Sequence, residues 1–443
     1  MTLSDIIPSL RSSLRTPLTE FWPTTAAWAE HGDLRVGGVS MTSVAAAHGT
    51  PTYVLDEADL RQRCRDYLAA FGEGRVAYTG KALLSRGVAR RLAEEGLRLY
   101  VGSAGELRVA LAAGFPADRI VMYGSAKTPE DLDAAYAGRV GTIVVESLGE
   151  ITRLAATAPP GQRVLLRVLG DTGTADGADC RFGLRIGSGE AAGAVARIVA
   201  QPRLRLVGVD CSVGHQLSRF SVYEREVREV MEFLAAMRAR YGVVATELNL
   251  GGGHAVAYSG ADPSLALAAF ANRIRAVLRL AADRHDLPTP ALTVSPGRAI
   301  VSRAGITLYR VVSVNRGPDG RHLVAVDGGM TDCPPGALCG GRHSAVLFGR
   351  TTCADPVRTT VVGRHNDSDD VVVPGLTLPS DVRPGDLLAV AGSGAYHHSR
   401  ASNYHLVGRP PLLVVREGRI STLVRRESPD DLLRRDVDES GAA

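Results

Sequence analysis

Lys81 is one of only two lysines among the 51 basic residues of this 443-residue chain, the other being Lys127. It stands in the segment VAYTGKALLS, at the end of a short apolar run. A lysine amine held in a partly dry pocket has a lowered pKa and can condense with an aldehyde, whereas an arginine guanidinium stays protonated. Lys81 is therefore a candidate imine-forming nucleophile, although a solvated lysine at a strand end would look the same in the sequence.

Two glycine-containing turns further along the chain could bind an anion. Gly251–Gly253 follows the apolar run LNL, and Ser295–Arg298 follows the run ALTV. Backbone amides in tight turns and guanidinium groups are common ligands of phosphate. Together with an imine-forming lysine, these turns are what pyridoxal phosphate (PLP) requires, an amine at one end and anion-binding groups at the other.

Strands and helices alternate between about residues 75 and 300. Helix starts are indicated by Ser103 and Ser147, each with a glutamate three residues later, and by Thr128-Pro129. The eight strand-like runs are too apolar to alternate, which is typical of parallel strands buried on both faces. We therefore predict a (β/α)8 barrel over residues 55–300, with an open doubly wound sheet as the competing interpretation. The runs are RVAYTGK, LRLYVGS, RIVMYGS, GTIVVES, RVLLRVL, LRLVGVDCSVG, ELNLGGG and ALTVSPGR.

A second region has a different pattern. Beyond residue 300, strand-like runs are joined by Gly, Pro and Asp turns without long helical patterns between them. Residues 31–54 also suggest strands and a short helix. We predict that residues 31–54 and 301–436 form one β-domain, like a sandwich or barrel, with residues 1–30 peripheral and residues 437–443 a tail.

Composition excludes several classes of protein. The net charge is only +4, and arginines are interspersed with acidic residues, so neither nucleic-acid nor membrane binding is expected. No apolar run approaches the ~20 residues that cross a bilayer, and the first 30 residues lack a signal-peptide core, which favours a cytoplasmic protein. The six cysteines show no CxxC pair or metal-ligand spacing. We therefore expect reduced thiols and no metal site.

Several motifs resemble, in order, those of one family. The segment YTGKALL is similar to the family's lysine motif, and GSAGELRVALAAGFPADRIVMYGSAK to its second and third βα units. The chain resembles the diaminopimelate decarboxylase family, of the alanine-racemase-type (fold type III) PLP enzymes, from about residue 35 to 436. The resemblance implies a PLP-dependent amino-acid decarboxylase that forms a homodimer with its active sites at the interface. The other matching motifs are RFGL at 181–184, LNLGGG, PGRAI, VAVDGGMTD, VVGRH and GAYHHSRASNY.

The resemblance also implies roles for individual residues. Lys81 carries the internal aldimine, and Lys81 and Asp367 are the catalytic candidates. Substrate contacts are expected from Arg298, Asn366, Asp367 and Tyr396. The expected cofactor-binding residues are Lys81, His215, Gly251, Gly252, Gly253, Ser295, Gly297, Arg298 and Tyr396.

Departures from the family pattern lie at the cofactor ring. Where the family has His-x-Gly-Ser, with the histidine stacked on the ring, this chain has Ser212-Val-Gly-His215. Where the family has Glu-Pro-Gly-Arg, it has Ser295-Pro-Gly-Arg298. A hydroxyl cannot hold the proton of the pyridine nitrogen as a carboxylate does, so the ring should be a poorer electron sink.

The substrate side departs as well. The family's Cys-Glu-Ser-Gly-Asp is replaced by Asn366-Asp367-Ser-Asp-Asp, and Asn366 cannot act as the proton-donating acid that the cysteine is. The Arg-Pro-x-Leu-Tyr run that binds the distal carboxylate is replaced by Pro335-Gly-Ala-Leu-Cys339. One of several histidines could supply the missing proton. These candidates are His215, His254, His397, His398 and His405.

Three functions are compatible with this pattern. The first is a PLP-dependent decarboxylase with an altered substrate, which removes the α-carboxylate as carbon dioxide. The second is a racemase or another reaction at Cα on the same scaffold, because the neutral ring partner Ser295 is reminiscent of racemases, which also avoid full protonation of the ring. The third is a non-catalytic PLP-binding paralogue. Glu106, Lys127, Asp332 and Arg342 also match family positions, but capping, turn or ion-pair roles explain them equally well.

Overall fold

The structure is a computed structural model that describes residues 18–170, 182–211, 213–260, 262–317, 320–337 and 342–437. Arg181, Ser212, Leu338 and Cys339, all part of the sequence motifs, lie outside these ranges. None of the described helices combines the length and low polarity needed to cross a bilayer.

The first described elements pack with the C-terminal sheet. In chain order they are β1 (Ala27–Trp28), β2 (Leu34–Val36), β3 (Val39–Ser40), α1 (Met41–His48) and β4 (Thr52–Asp56). Phe21 and Trp22 are buried in the hydrophobic cluster that these elements share with the C-terminal strands. These two aromatic side chains therefore belong to that cluster, whereas the assignment of residues 1–30 to a peripheral segment stays a prediction.

A parallel sheet and its helices follow. The strands are β5 (Ala77–Thr79), β6 (Arg98–Val101), β7 (Ile120–Met122), β8 (Thr142–Val145), β9 (Gln162–Leu169), β10 (Leu184–Arg185), β11 (Leu204–Cys211), β12 (Glu247–Asn249) and β13 (Ala291–Thr293). The helices are α2 (Glu57–Phe71), α3 (Arg86–Glu94), α4 (Ala104–Ala112), α5 (Pro129–Ala137), α6 (Leu148–Thr157), α7 (Glu190–Val199), α8 (Phe220–Tyr241), α9 (Leu267–Arg284) and α10 (Arg298–Val301).

The parallel sheet closes on itself. Its order is β13-β12-β11-β9-β8-β7-β6-β5, with the short β10 added beside β9. At the seam, Ala77 N donates to Val294 O at 2.9 Å, and Val294 N donates to Arg75 O at 3.0 Å. The eight predicted strands therefore form a barrel, and the open-sheet alternative is wrong.

The predicted helix starts are present, with one local difference. Thr128 and Asp131 form a reciprocal capping box at the start of α5. Ser103 and Ser147 also cap their helices. Their partner glutamates instead accept from the amide one residue before the cap, as in the 2.7 Å bond from Gly102 N to Glu106. Each glutamate therefore fixes the end of the preceding strand as well as the helix.

The C-terminal region forms a mixed sheet. Its elements are β14 (Gly305–Arg316), β15 (His322–Val326), β16 (Ala345–Phe348), β17 (Pro356–Val362), β18 (Val371–Pro379), β19 (Leu387–Ala391), β20 (Leu412–Arg416), β21 (Arg419–Val424) and α11 (Pro429–Leu433). Strand β4 pairs antiparallel with β14 and parallel with β20, so an N-terminal strand lies inside this sheet. This arrangement confirms the predicted β-domain with N-terminal strands, whereas the exact domain boundaries stay a prediction.

Candidate active site

One cavity of about 120 Å³ lies at the carboxyl ends of the barrel strands. All nine residues that the sequence assigned to the cofactor line it, from Lys81 after β5 to Tyr396 in the C-terminal region. Strand ends from distant parts of a barrel converge on this face, which is where barrel enzymes hold their active sites. The other lining residues are Thr79, Tyr100, Tyr123, Arg167, Gly214, Gln216 and His254.

Lys81 lies in the turn that follows β5, and its side chain is exposed. Its ammonium is 5.9 Å from the centroid of the Tyr123 ring. Burial raises the pKa of the nearby Glu106 carboxyl, while the Gly102 amide and the positive charge of Lys81 act in the opposite direction. Thr79 Oγ1 donates to Ser295 O at 2.6 Å and so ties the strand before Lys81 to the turn after β13.

The glycine turns pack against each other through their backbones. A Cβ atom on Gly252 would lie 1.9 Å from Ser295 O, and one on Gly253 would lie 2.1 Å from Gly214 O. No side chain fits at either position, because the turns after β11, β12 and β13 approach too closely. The backbone amides of these turns and the Arg298 guanidinium are the kinds of group that bind phosphate. The residues present in this backbone cradle therefore fit PLP.

Arg298 and Tyr396 join the barrel to the C-terminal region. Arg298 is buried, and its Nη1 donates to Tyr258 Oη at 2.5 Å and to Ala337 O at 2.6 Å. Its guanidinium carbon lies 4.6 Å from the centroid of the Tyr396 ring. Tyr396 has a φ of 66° and donates its backbone amide to Ala82 O at 2.8 Å. Such strained left-handed backbone is often found at functional sites, and here it holds Tyr396 beside the Lys81 turn.

A buried charged group at the cavity wall was not indicated by the sequence motifs, and it contains the lining residue Arg167. Arg167 Nε lies 3.1 Å from Asp210 Oδ1, and Arg167 Nη1 lies 3.4 Å from Glu146 Oε2. Burial raises the pKa of the Asp210 carboxyl, and Arg167 opposes that shift. The signal in the sequence was a charge inside each of two apolar strands, RVLLRVL and LRLVGVDC. Inside a closed barrel such charges must find partners.

Polar side chains connect this group to Ser295. Asn249 Nδ2 donates to Tyr100 Oη at 2.9 Å, and Tyr100 Oη donates to Asp210 Oδ2 at 3.3 Å. At the other end, Ser295 Oγ donates to Asn249 Oδ1 at 3.4 Å. The neutral Ser295 is thus linked through two side chains to a buried carboxylate, which the sequence alone could not show.

Asn366 and Asp367 do not line the cavity of their own chain. Both are exposed in the turn after β17, where Tyr404 Oη donates to Asp367 Oδ2 at 3.5 Å. By contrast, Asp370 in the same turn is buried and lies 2.7 Å from His365 Nδ1. The expected substrate contacts of Asn366 and Asp367 are therefore not formed within one chain.

Of the five candidate histidines, only His215 and His254 line the cavity. His254 bonds to Tyr67 Oη at 2.9 Å, and burial lowers its pKa to about 4. It is therefore neutral near pH 7 and is a poor proton donor. His398 lies against Tyr53, and His405 lies beside Tyr404.

Glu226 on α8 is a buried carboxyl group near the mouth of the barrel. A Cβ atom on Gly170, at the end of β9, would lie 2.9 Å from Glu226 Oε2 and 2.6 Å from Glu229 Oε2, so the two carboxylates converge there. Burial, together with the negative charge of Glu229, raises the pKa of Glu226 to about 7. The folded protein therefore binds a proton here more tightly than the unfolded chain does.

Glu226→Gln is expected to stabilise the protein at about pH 8 but much less at about pH 5. With a folded pKa above the unfolded one, the stabilising contribution of Glu226 is complete below its unfolded pKa and is lost as the pH rises through about 7. The glutamine variant should gain roughly 3 kcal/mol at the higher pH. Urea unfolding at both pH values measures this, with the exposed Glu232→Gln on the same helix as control. Equal gains at the two pH values would contradict the prediction.

These features define a class of protein. A closed (β/α)8 barrel with a lysine after its first strand, a backbone cradle after its last strands and an attached β-region is a PLP-binding barrel of fold type III. The family model described as "Pyridoxal-dependent decarboxylase, pyridoxal binding domain" matches residues 57–302.

The comparisons narrow this class to one family. A diaminopimelate decarboxylase of Actinosynnema pretiosum subsp. auranticum is 46% identical over 445 residues, covering 99% of this chain and 100% of that protein. One from Mycobacterium tuberculosis (strain H37Rv) is 39% identical, covering 94% and 97%. The crystal structure of diaminopimelate decarboxylase from M. jannaschii superposes with a TM-score of 0.87 at 27% identity, covering 94% and 98%. The chain belongs to the diaminopimelate decarboxylase family and is a PLP-dependent carboxy-lyase that acts on an amino acid.

Proposed function

We propose that this decarboxylase acts on an amino acid that differs from diaminopimelate at the end distant from the reacting carbon. The observation that carries this proposal is the segment after Cys333. Where the family has an arginine to bind the distal carboxylate, this segment has Pro335, and it continues with Gly336 and Ala337. In the described part of this segment, the Ala337 carbonyl accepts a hydrogen bond from Arg298 at the cavity wall. A carbonyl oxygen attracts a donor and repels a carboxylate.

The cavity residues have the following proposed roles. Lys81 would hold the cofactor covalently through its primary amine and would provide the amine that replaces the product. The turns at Gly251–Gly253 and Ser295–Gly297 hold the phosphate, with His215 beside them. Arg298 and Tyr396 orient the substrate. PLP supplies the electron sink that lets the α-carboxylate leave as carbon dioxide. Because Ser295 is neutral, the field at the ring depends on the Arg167–Asp210 pair and its link through Asn249.

Carbon dioxide release from a panel of amino acids tests the proposed substrate. The panel contains meso-diaminopimelate, amino acids of similar length without a distal carboxylate, and amino acids with a distal amine. We expect the highest kcat/KM for a member that lacks the distal carboxylate, and no release by Lys81→Ala. A preference for meso-diaminopimelate over every other member would contradict the altered substrate. Loss of optical activity without carbon dioxide release would favour the racemase alternative.

We also propose that the protein is a homodimer in which Asn366 and Asp367 reach the cavity of the partner. Both residues are exposed and absent from the cavity of their own chain. Tyr404 and Leu406, which lie in the segment that contacts Asp367, are 45% and 77% exposed. Exposed apolar side chains next to unused polar candidates are typical of an interface. A two-fold interface would bring both turns to both sites.

Mixing two inactive variants tests this arrangement. Lys81→Ala and Asp367→Ala are each expected to be inactive as homodimers. After the two are unfolded and refolded together, heterodimers should contain one site with both native residues. Random pairing of chains would restore about a quarter of the wild-type activity. Activity that stays at the level of the separate variants, in a mixture shown to contain heterodimers, would rule out the shared site.

The cytoplasmic location also stays a proposal. It rests on the six cysteines of the sequence, for which no disulfide framework is expected. Cell fractionation with an antibody against the protein would test it.

A further inference from the structure

Three metal-ligand side chains meet behind the wall of the cavity that carries Tyr396. Cys333, His343 and His397 each offer one ligand atom, and these atoms all lie within 4.8 Å of one another. The residues are 8%, 6% and 1% exposed. Within the described part of the chain, no other trio of His, Cys, Asp or Glu side chains comes together in this way.

The hydrogen bonds of the two imidazoles fix the positions of their protons. His343 Nδ1 lies 2.8 Å from Ala391 O, and His397 Nδ1 lies 2.9 Å from Ala395 O. Because a carbonyl oxygen only accepts, each Nδ1 must carry a proton, and each neutral ring then has its lone pair on Nε2. The rings are therefore the tautomers that bind metals through Nε2.

The two Nε2 atoms face each other. They are 2.9 Å apart and lie between rings whose centroids are separated by 4.9 Å. Two lone pairs at this distance repel each other, and burial removes the water that could separate them. A cation between the rings would convert this repulsion into binding, and the nearby Cys333 thiol would supply a third, soft ligand.

We propose that Cys333, His343 and His397 bind a zinc ion. Imidazole nitrogen and thiolate sulfur are both usual zinc ligands, and three such ligands leave a fourth position for water. Tetrahedral zinc places two imidazole nitrogens about 3.3 Å apart, so the rings need to separate by only a few tenths of an ångström. The carbonyls of Ala391 and Ala395 already orient the rings through Nδ1, as the outer partners of metal-bound histidines do.

The zinc ion would stabilise the wall of the active site. Cys333 precedes the segment whose Ala337 carbonyl accepts from Arg298, and His397 directly follows Tyr396. Joining these points would hold Arg298 and Tyr396 in place whichever substrate is used. The sequence pattern did not indicate a metal site, because the three ligands are far apart along the chain and form no local motif.

Metal analysis of the PLP-loaded protein, purified without a histidine tag, tests the proposal. After incubation with zinc and dialysis, we expect about one zinc per chain in the wild type. The same content is expected in Cys353→Ser, whose thiol is exposed, and a loss of zinc is expected in Cys333→Ser. Replacement with cobalt should give intense ligand-field bands in the red part of the spectrum, where PLP does not absorb, in the wild type and Cys353→Ser only.

Thermal unfolding provides a readout that does not depend on the variants' activity. A chelator should lower the Tm of the wild type and of Cys353→Ser but leave that of Cys333→Ser unchanged. Zinc absent from the wild type, or zinc content equal in the wild type and Cys333→Ser, would overturn the proposal, and the histidine pair would then share a proton instead. Neither result would affect the proposed substrate, which is measured by carbon dioxide release.

Discussion

Lys81→Ala is expected to abolish the visible absorbance band of the lysine-bound cofactor and to lower kcat by about 10³-fold or more. The reason is that Lys81 is the only lysine lining the described cavity, and an imine requires a primary amine. Absorbance spectra of the PLP-reconstituted protein and single-turnover release of carbon dioxide measure both effects. Borohydride reduction should attach the cofactor covalently to the wild type but not to the variant.

The variant Lys81→Arg distinguishes the role of the Lys81 primary amine from the role of its positive charge. Arginine keeps the positive charge near Glu106 and the Tyr123 ring but cannot form an imine. We expect it to be as inactive as Lys81→Ala, whereas a small primary amine added to Lys81→Ala should restore part of the activity. If Lys81→Arg kept near-native turnover, the role of Lys81 as the covalent anchor would be wrong.

Lys127→Met is expected to destabilise the protein by about 3–5 kcal/mol. Lys127 Nζ lies 2.6 Å from Glu150 Oε1 and donates to Gly124 O at 2.5 Å, and the side chains of the pair are 0% and 2% exposed. Removing the ammonium leaves the Glu150 carboxylate buried without its counter-charge, and such a group costs more than the ion pair contributes. The midpoint and slope of urea unfolding, at equal PLP concentration, measure the change.

Two further variants make this result specific. In Lys127→Met combined with Glu150→Gln, no buried charge is left unpaired, so we expect at least half of the lost stability to return. Arg108→Met breaks an ion pair of similar length with Glu130, but both of its side chains are about two-thirds exposed. That variant should change the stability by less than about 1 kcal/mol. Equal losses for the buried and the exposed pair would contradict the explanation.

The barrel could be predicted because its signals are local. Each strand is a short apolar run, and several helices start at a cap such as Thr128, so propensity and patterning point to the same element. The sequence also located the residues predicted to bind the cofactor at one end of the barrel, because a parallel barrel brings the carboxyl ends of all its strands to the same face. Lys81 and the turn at Gly251–Gly253 therefore lie in one cavity, as their positions after strands indicated.

Contacts between distant segments could not be predicted in the same way. Arg167, Asp210 and Asn249 lie side by side on three neighbouring strands that are far apart along the chain, and the register of the sheet brings them together near Ser295. The placement of Asp367 outside its own cavity also depends on where the β-region docks. The spacing of residues along the chain does not indicate the distances between side chains of remote segments.

The two lysines illustrate the difference between what the sequence determines and what the tertiary structure determines. The sequence alone determined the barrel and the attached strands and singled out Lys81 as the candidate amine, because these follow from local pattern and from the chemistry of one side chain. Only the tertiary structure decided what Lys127 does. It places a compact ammonium in a space closed to solvent, between Gly124 O and the Glu150 carboxylate. It likewise brings Cys333, His343 and His397 together, since burial and contact between remote segments arise only when the chain folds.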